Sequence, residues 1–147
     1  AAAFLIAVSL DKTKWFLYGW FLCIPLSLVL GGSLELFFAD LVESERTVGY
    51  LSDTDEFSDQ FSSTGFRWDF LIYSISGVYA VWYFIIKKKF EDKTYSLICN
   101  TYLIANAFWI LVIRASFSNR FAYLSWFLLG IAIIYPFLKR KFFSEQL

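Results

Sequence analysis

The sequence predicts an all-α, polytopic transmembrane bundle: about four full spans, a truncated first helix and an amphipathic-helical outer loop. Three observations predict it. First, 59% of the 147 residues are hydrophobic and 22% aromatic, where a soluble domain runs to about 45–50% apolar, and the mean hydropathy is +0.57. Second, the apolar residues are gathered into long uncharged blocks. Third, the charges that separate those blocks sort by side.

A spanning helix needs about 20 mostly apolar residues, because the hydrocarbon core is about 30 Å thick and each residue rises about 1.5 Å. The run 1–10 is too short to span and reads as the second half of a helix. It opens Ala1-Ala2-Ala3-Phe4 without Met, so the chain is expected to be a fragment, a processed chain or part of a longer protein. A secretory signal fits poorly, since no basic segment precedes Phe4–Leu10. Residues 15–34 form the next span, uncharged and with Pro25 near the middle. Residues 35–66 form an external acidic loop. Residues 67–86 form a span opened by Arg67, Trp68 and Asp69. Residues 95–113 form a span carrying Asn100 and Asn106, and residues 121–138 form the last, with Pro136 near its end. Residues 139–147 are a tail. Backbone groups in lipid must be satisfied internally, so helices are the expected form.

Alternation puts Lys12, Lys14, Lys87, Lys88, Lys89, Lys93, Lys139, Arg140 and Lys141 on one side. Arg46, Arg67, Arg114 and Arg120 fall on the other. Nine cations against four make the first side cytoplasmic by the positive-inside rule, with the C-terminus inside. The formal net charge of +0 is therefore a cancellation between sides. It also gives no basic field for nucleic acid, so no nucleic-acid partner is expected. All four outer cations are arginine. A planar, permanently charged fork suits phosphate or carboxylate better than a lysine ammonium does.

The chain has no His. Ser–His and Cys–His nucleophile systems and HExxH zinc sites cannot be built from it. Cys23 and Cys99 cannot make a four-ligand zinc site and read as small apolar core residues. No glycine-rich phosphate loop is present.

The loop Glu35–Phe66 carries eight acidic residues and one arginine. Leu36, Phe37, Leu41, Val48 and Leu51 recur at mostly helical spacing, which predicts one or two amphipathic helices at the interface. Ser52–Gly65 is turn-rich. At the entry to the next helix, Gly65 permits a sharp turn, Trp68 suits the interfacial belt and Asp69 complements the helix dipole. Arg67 is opposed by that dipole, so it requires an anion: Asp69, the acidic loop or a ligand. Arg114 and Arg120 flank the hairpin between the last two spans, and Asn106 lies two turns below Arg114. Charges at the membrane edge face a polar cavity or a partner. Arg67, Arg114 and Arg120 therefore form a candidate anion clamp, able to hold a diphosphate while apolar helices hold an isoprenoid tail. Ordinary snorkelling arginines are the competing reading.

Three stretches resemble a known family. Gly65-Phe66-Arg67-Trp68-Asp69-Phe70-Leu71-Ile72-Tyr73-Ser74 resembles the outer-loop-to-helix motif of EpsG-type proteins. Asn100-Thr101-Tyr102-Leu103-Ile104-Ala105-Asn106-Ala107-Phe108-Trp109 resembles the helix that follows. Arg114 to Tyr123, with Leu124-Ser125-Trp126 and Tyr135-Pro136-Phe137, resembles their closing hairpin. The resemblance runs from about Arg46 to the end and corresponds to the C-terminal portion of a longer protein. It implies a bacterial inner-membrane polymerase of O-antigen, capsule or exopolysaccharide of the Wzy kind: a metal-independent glycosyltransferase with no cofactor. The implied partners are an undecaprenyl-diphosphate-linked oligosaccharide, the bilayer and a chain-length-regulating membrane protein. The implied catalytic residues are Arg67, Arg114 and Arg120, which would stabilise the diphosphate, with Asp69 the nearest carboxylate to accept a hydroxyl proton. Asn106, Asn119, Tyr123 and Trp68 are the candidate substrate-binding residues. Two other classes stay open: a lipid-linked-sugar or solute transporter using Asn100, Asn106 and Arg114 as a path, and a non-catalytic membrane scaffold.

Overall fold

The computed structural model describes residues 2–10, 12–30, 33–34, 37, 66–114 and 118–141, with the side chains of 118–121 and 124 left aside. The expected amphipathic helices of the acidic loop lie outside the described residues. Among the described residues every regular element is helical. Helix α1 is Ala2–Ser9, α2 is Thr13–Leu30, and α3 is Trp68–Val81, continued by a π-helical turn over Trp82–Lys87. Helix α4 is Lys93–Leu111 and α5 is Ser118–Lys139.

Two of these, Thr13–Leu30 and Trp68–Lys87, are long and apolar enough to cross a membrane by length and composition. Only 22% of the first, and 39% of the most apolar 18 residues of the second, are buried inside the chain, whereas a core helix of a soluble protein buries most of its length. Val29, Phe127 and Trp15 are 83%, 77% and 72% exposed. Apolar surface on this scale needs lipid or protein against it. Helix α4 is long enough but less apolar, because Tyr95, Asn100, Thr101, Tyr102 and Asn106 dilute it. Helix α5 runs 22 residues, and Ser125–Lys139 is its apolar stretch among the described residues.

Helix α4 is the centre of the packing, in contact with α1, α2, α3 and α5. Its buried residues Tyr95, Cys99, Tyr102, Asn106 and Trp109 recur every three or four positions, which aligns them on one face. The Tyr95 hydroxyl near the start of α4 donates to the Ala132 carbonyl late in α5 at 2.8 Å. At the other end, the Trp109 and Trp126 rings lie 6.2 Å apart. So α4 and α5 run antiparallel. Phe70 meets Trp126 at 4.9 Å and Phe84 meets Phe137 at 5.3 Å, so α3 runs alongside α5 in the same direction. The start of α3, the end of α4 and the start of α5 therefore share one end of the bundle. Lys87–Lys89, Lys93 and Lys139 gather at the opposite end.

The interior is not uniformly apolar. Asn106 is 0% exposed and ties four helices together. The Trp20 indole N–H of α2 donates to Asn106 Oδ1 at 2.8 Å. Asn106 Nδ2 donates to Ser74 Oγ of α3 at 3.0 Å and to Ser125 Oγ of α5 at 2.9 Å. Around this core the Trp126 indole donates to Ser74 Oγ at 3.1 Å, and the Ser125 hydroxyl donates to the Ala122 carbonyl at 2.8 Å. The Tyr102 hydroxyl donates to the Ser74 carbonyl at 2.7 Å. Such a network specifies which helix faces meet, because every alternative packing leaves a buried donor without an acceptor.

The turn before α4 is fixed by Asp92. Its extended backbone ends the basic linker, and its carboxylate accepts the Tyr95 backbone N–H at 2.9 Å, the geometry of an N-cap. Asp92→Ala is expected to cost about 1 kcal/mol and Asp92→Asn only a few tenths. Thermal unfolding of the purified protein in detergent checks this; an alanine variant as stable as the parent would show that the cap contributes nothing. Lys89 in the same linker has φ 49°, an uncommon backbone conformation for a residue that carries a Cβ. Just before it, the Lys88 N–H reaches the Tyr83 carbonyl five residues back, at 2.9 Å, which is the π-helical bond that closes α3.

Candidate functional site

The arginine end of the bundle is assembled around Trp126. Phe70 and Tyr73 are one turn apart on α3, and Tyr123 and Trp126 one turn apart on α5. Their spacing turns each pair to one face. The Trp126 ring meets Phe70 at 4.9 Å, Tyr73 at 5.0 Å, Tyr123 at 5.7 Å and Trp109 at 6.2 Å, all edge-on. Edge-to-face contact suits the ring quadrupoles. Trp126 is anchored below by its bond to Ser74 Oγ, so the aromatic group sits directly on the buried polar network.

Arg67 stands at the lip of this group. It is the residue before the first turn of α3 and makes no side-chain cap. Its guanidinium carbon lies 4.0 Å from the centre of the Phe70 ring. Its Nε and Nη2 donate to the two Asp69 oxygens at 3.3 and 3.1 Å. The anion that Arg67 requires is therefore supplied two residues along the chain. The fork is fixed in direction by the ring beneath it and the carboxylate beside it. Asp69 is 61% exposed, so the pair is worth no more than about 1 kcal/mol. Such an exposed, weak pair leaves the guanidinium fork open to competition from a phosphate group.

The other expected site residues divide into four groups. Trp68 and Tyr123 are exposed at the same end; Trp68 packs on Phe66 at 4.5 Å and Tyr123 on Trp126. Arg114 follows the last turn of α4, and its Nε is buried with no hydrogen-bond partner. The Trp109 indole N–H nearby in sequence is also buried and unpaired. Asn119 and Arg120 lie in the first turn of α5, and their side chains are outside the described residues. Asn106 is not at the rim. Both its amide hydrogens and its oxygen are engaged within the core, so it acts there as a structural tie.

Asn100 and Asn106 do not form one stripe. Six residues apart, they point about 120° from each other around the helix. Asn100 is 1% exposed and neither of its amide atoms has a partner. Among the described residues, no group of three or more Cys, Asp or Glu side chains is placed to hold a metal ion.

Trp126, Tyr73, Ser74 and Ser125 were not singled out by sequence reasoning as site or network residues. The three-residue spacing of Phe70/Tyr73 and Tyr123/Trp126 was the available signal. No family model, curated protein or solved structure matches the chain.

Proposed function

We propose that the arginine end of this bundle binds the diphosphate of a lipid-linked saccharide, and that the chain forms part of a bacterial inner-membrane polysaccharide polymerase with four spans and its lysine end in the cytoplasm. The observation that carries this reading is the Arg67 fork. It is a permanently charged bidentate donor, oriented by Phe70, held by a weak exposed ion pair, and set beside a shelf of exposed aromatic rings. A cation tied up in a strong buried pair would not be available to a ligand.

In the reaction, a hydroxyl oxygen of the acceptor saccharide attacks the anomeric carbon of the donor. A C–O bond forms as the bond from that carbon to the diphosphate oxygen breaks. The leaving lipid diphosphate carries away the electron pair, and the hydroxyl proton passes to a base. Arg67 and Arg114, with Arg120 from the start of α5, would face the charge that grows on the leaving oxygens. Fixed donors aimed at developing charge supply about 3–4 kcal/mol each. Asp69 is a candidate for the proton, and its pairing with Arg67 keeps it at the same lip. Tyr123 and Trp68 offer exposed ring faces with a polar edge, suited to a saccharide. The transporter reading needs a polar path through the helices, whereas Asn106 is closed within its own bonds.

Arg67→Ala, Arg114→Ala and Arg120→Ala should each lower long-chain polymer by about 100-fold in cells that depend on the protein, with the amount of protein in the membrane unchanged. Normal chain length in all three variants would sink the proposal and favour a scaffold.

A further inference from the structure

A groove of ≈ 530 Å³ lies between α2 and α3, the two helices long and apolar enough to span a membrane. Leu17, Tyr18, Phe21, Val78, Tyr79 and Trp82 give it an apolar and aromatic lining. Tyr18, Phe21 and Tyr79 are 70%, 57% and 59% exposed, so the groove opens outward from the bundle. Its volume lies within the range of about 300–1,000 Å³ for small-molecule sites.

Two cations border this apolar surface. Lys14 lines the groove together with Ile86. Lys87 holds its ammonium 5.9 Å from the centre of the Trp82 ring, itself part of the lining, and 5.6 Å from the Tyr83 ring. Neither lysine makes a salt bridge among the described residues, where the ion pair is that of Arg67 with Asp69. An apolar trough bordered by two ammonium groups with no salt bridge among the described residues is complementary to a molecule with an anionic head and a hydrocarbon tail. A neutral helix would fill the trough but leave both charges unanswered.

We propose that this groove binds an anionic glycerophospholipid of the surrounding bilayer, its phosphate held by Lys14 and Lys87 and an acyl chain lying along Tyr18, Phe21, Tyr79 and Trp82. The site is separate from the arginine end and does not depend on the chemistry assigned there. Lys87 is the last residue of the π-helical turn, and its ammonium lies over the Trp82 and Tyr83 rings at the edge of the groove lining. Lysine stems commonly lie along apolar surface in this way.

The test uses the purified chain in neutral detergent micelles, titrated with brominated phosphatidylglycerol or brominated phosphatidylcholine while tryptophan fluorescence is read. Bromine quenches only rings it approaches. Phosphatidylglycerol should quench at a concentration about tenfold lower than phosphatidylcholine, since each lysine near an anionic head contributes on the order of a few-fold in affinity. Trp82→Phe should remove the phosphatidylglycerol-specific part of the quenching. Lys14→Gln with Lys87→Gln should bring the phosphatidylglycerol midpoint to that of phosphatidylcholine, with the helical circular dichroism unchanged. Equal quenching by the two lipids would overturn the proposal. So would a preference that survives the double lysine variant, or quenching that does not involve Trp82, as when a protein segment or a second copy covers the groove.

Discussion

Asn106→Leu is expected to destabilise the folded protein by about 2–3 kcal/mol, whereas Asn100→Leu should leave it unchanged or more stable. The two residues are the same amide on the same helix, and both are sealed from solvent. What differs is what each amide touches. Asn106 accepts from Trp20 and donates to Ser74 and Ser125. Leucine in its place strands the Trp20 indole N–H, which has no other acceptor among the described residues. The serine oxygens lose less, because Ser125 still donates to Ala122 and Ser74 still accepts from Trp126. A stranded buried donor costs about 1–3 kcal/mol, and hydrogen bonds between membrane helices contribute up to about 1.7 kcal/mol. Adding Trp20→Phe to Asn106→Leu should recover part of the loss, since the stranded donor is then gone. Asn100 has no bonds to lose, and leucine replaces an unpaired buried amide with an apolar group of similar size. Unfolding in detergent measures all three variants. Equal losses at the two positions would show that the amide bonds of Asn106 contribute nothing.

Gly77→Ala is the second large effect, with an expected loss of about 2–3 kcal/mol. A Cβ added at Gly77 would sit 2.6 Å from both Cζ and the hydroxyl oxygen of Tyr102, and 2.9 Å from Cε1. Tyr102 cannot swing aside, because its ring is fully buried and its hydroxyl is bonded to the Ser74 carbonyl. Moving the ring far enough to admit a methyl group breaks that bond and disturbs Ser74, which also receives Asn106 and Trp126. The requirement for glycine here comes from close packing against a tyrosine and not from an unusual backbone angle. In a Tyr102→Ala background the clash is absent, so Gly77→Ala should then cost little. That non-additivity separates a packing clash from a simple difference in helix propensity, which is about 1 kcal/mol in favour of alanine. A Gly77→Ala variant as stable as the parent would contradict the packing described for α3 and α4.

The helices were legible because hydrophobic block length and the position of charges are one-dimensional properties. Long uncharged runs between Lys14 and Glu35, between Asp69 and Lys87 and between Lys93 and Arg114 can be read directly. The antiparallel order of α4 and α5 followed from the short hairpin between them. The role of Arg67 was half legible: opposition to the helix dipole required an anion, and Asp69 supplies it. The role of Asn106 was not. An asparagine in a span reads equally well as a path or as a tie, and only the partners on three other helices decide between them. Ser74 and Ser125 carry no sequence signal of their own, since serine is common in helix interfaces. Gly77 is silent for the same reason, as its constraint lies on Tyr102 of the neighbouring helix. Asp92 was readable in retrospect, being an aspartate directly before a helical run.

The most direct measurement of the central claim is turnover in reconstituted vesicles. The protein that carries this chain is supplied with a polyisoprenyl-diphosphate-linked oligosaccharide, and free polyisoprenyl diphosphate and glycan length are followed together. The parent protein should release lipid diphosphate in step with glycan growth, and Arg67→Ala and Arg114→Ala should each slow both by about 100-fold. Undiminished release and growth in these two variants would contradict the assignment of the arginine end as the diphosphate site.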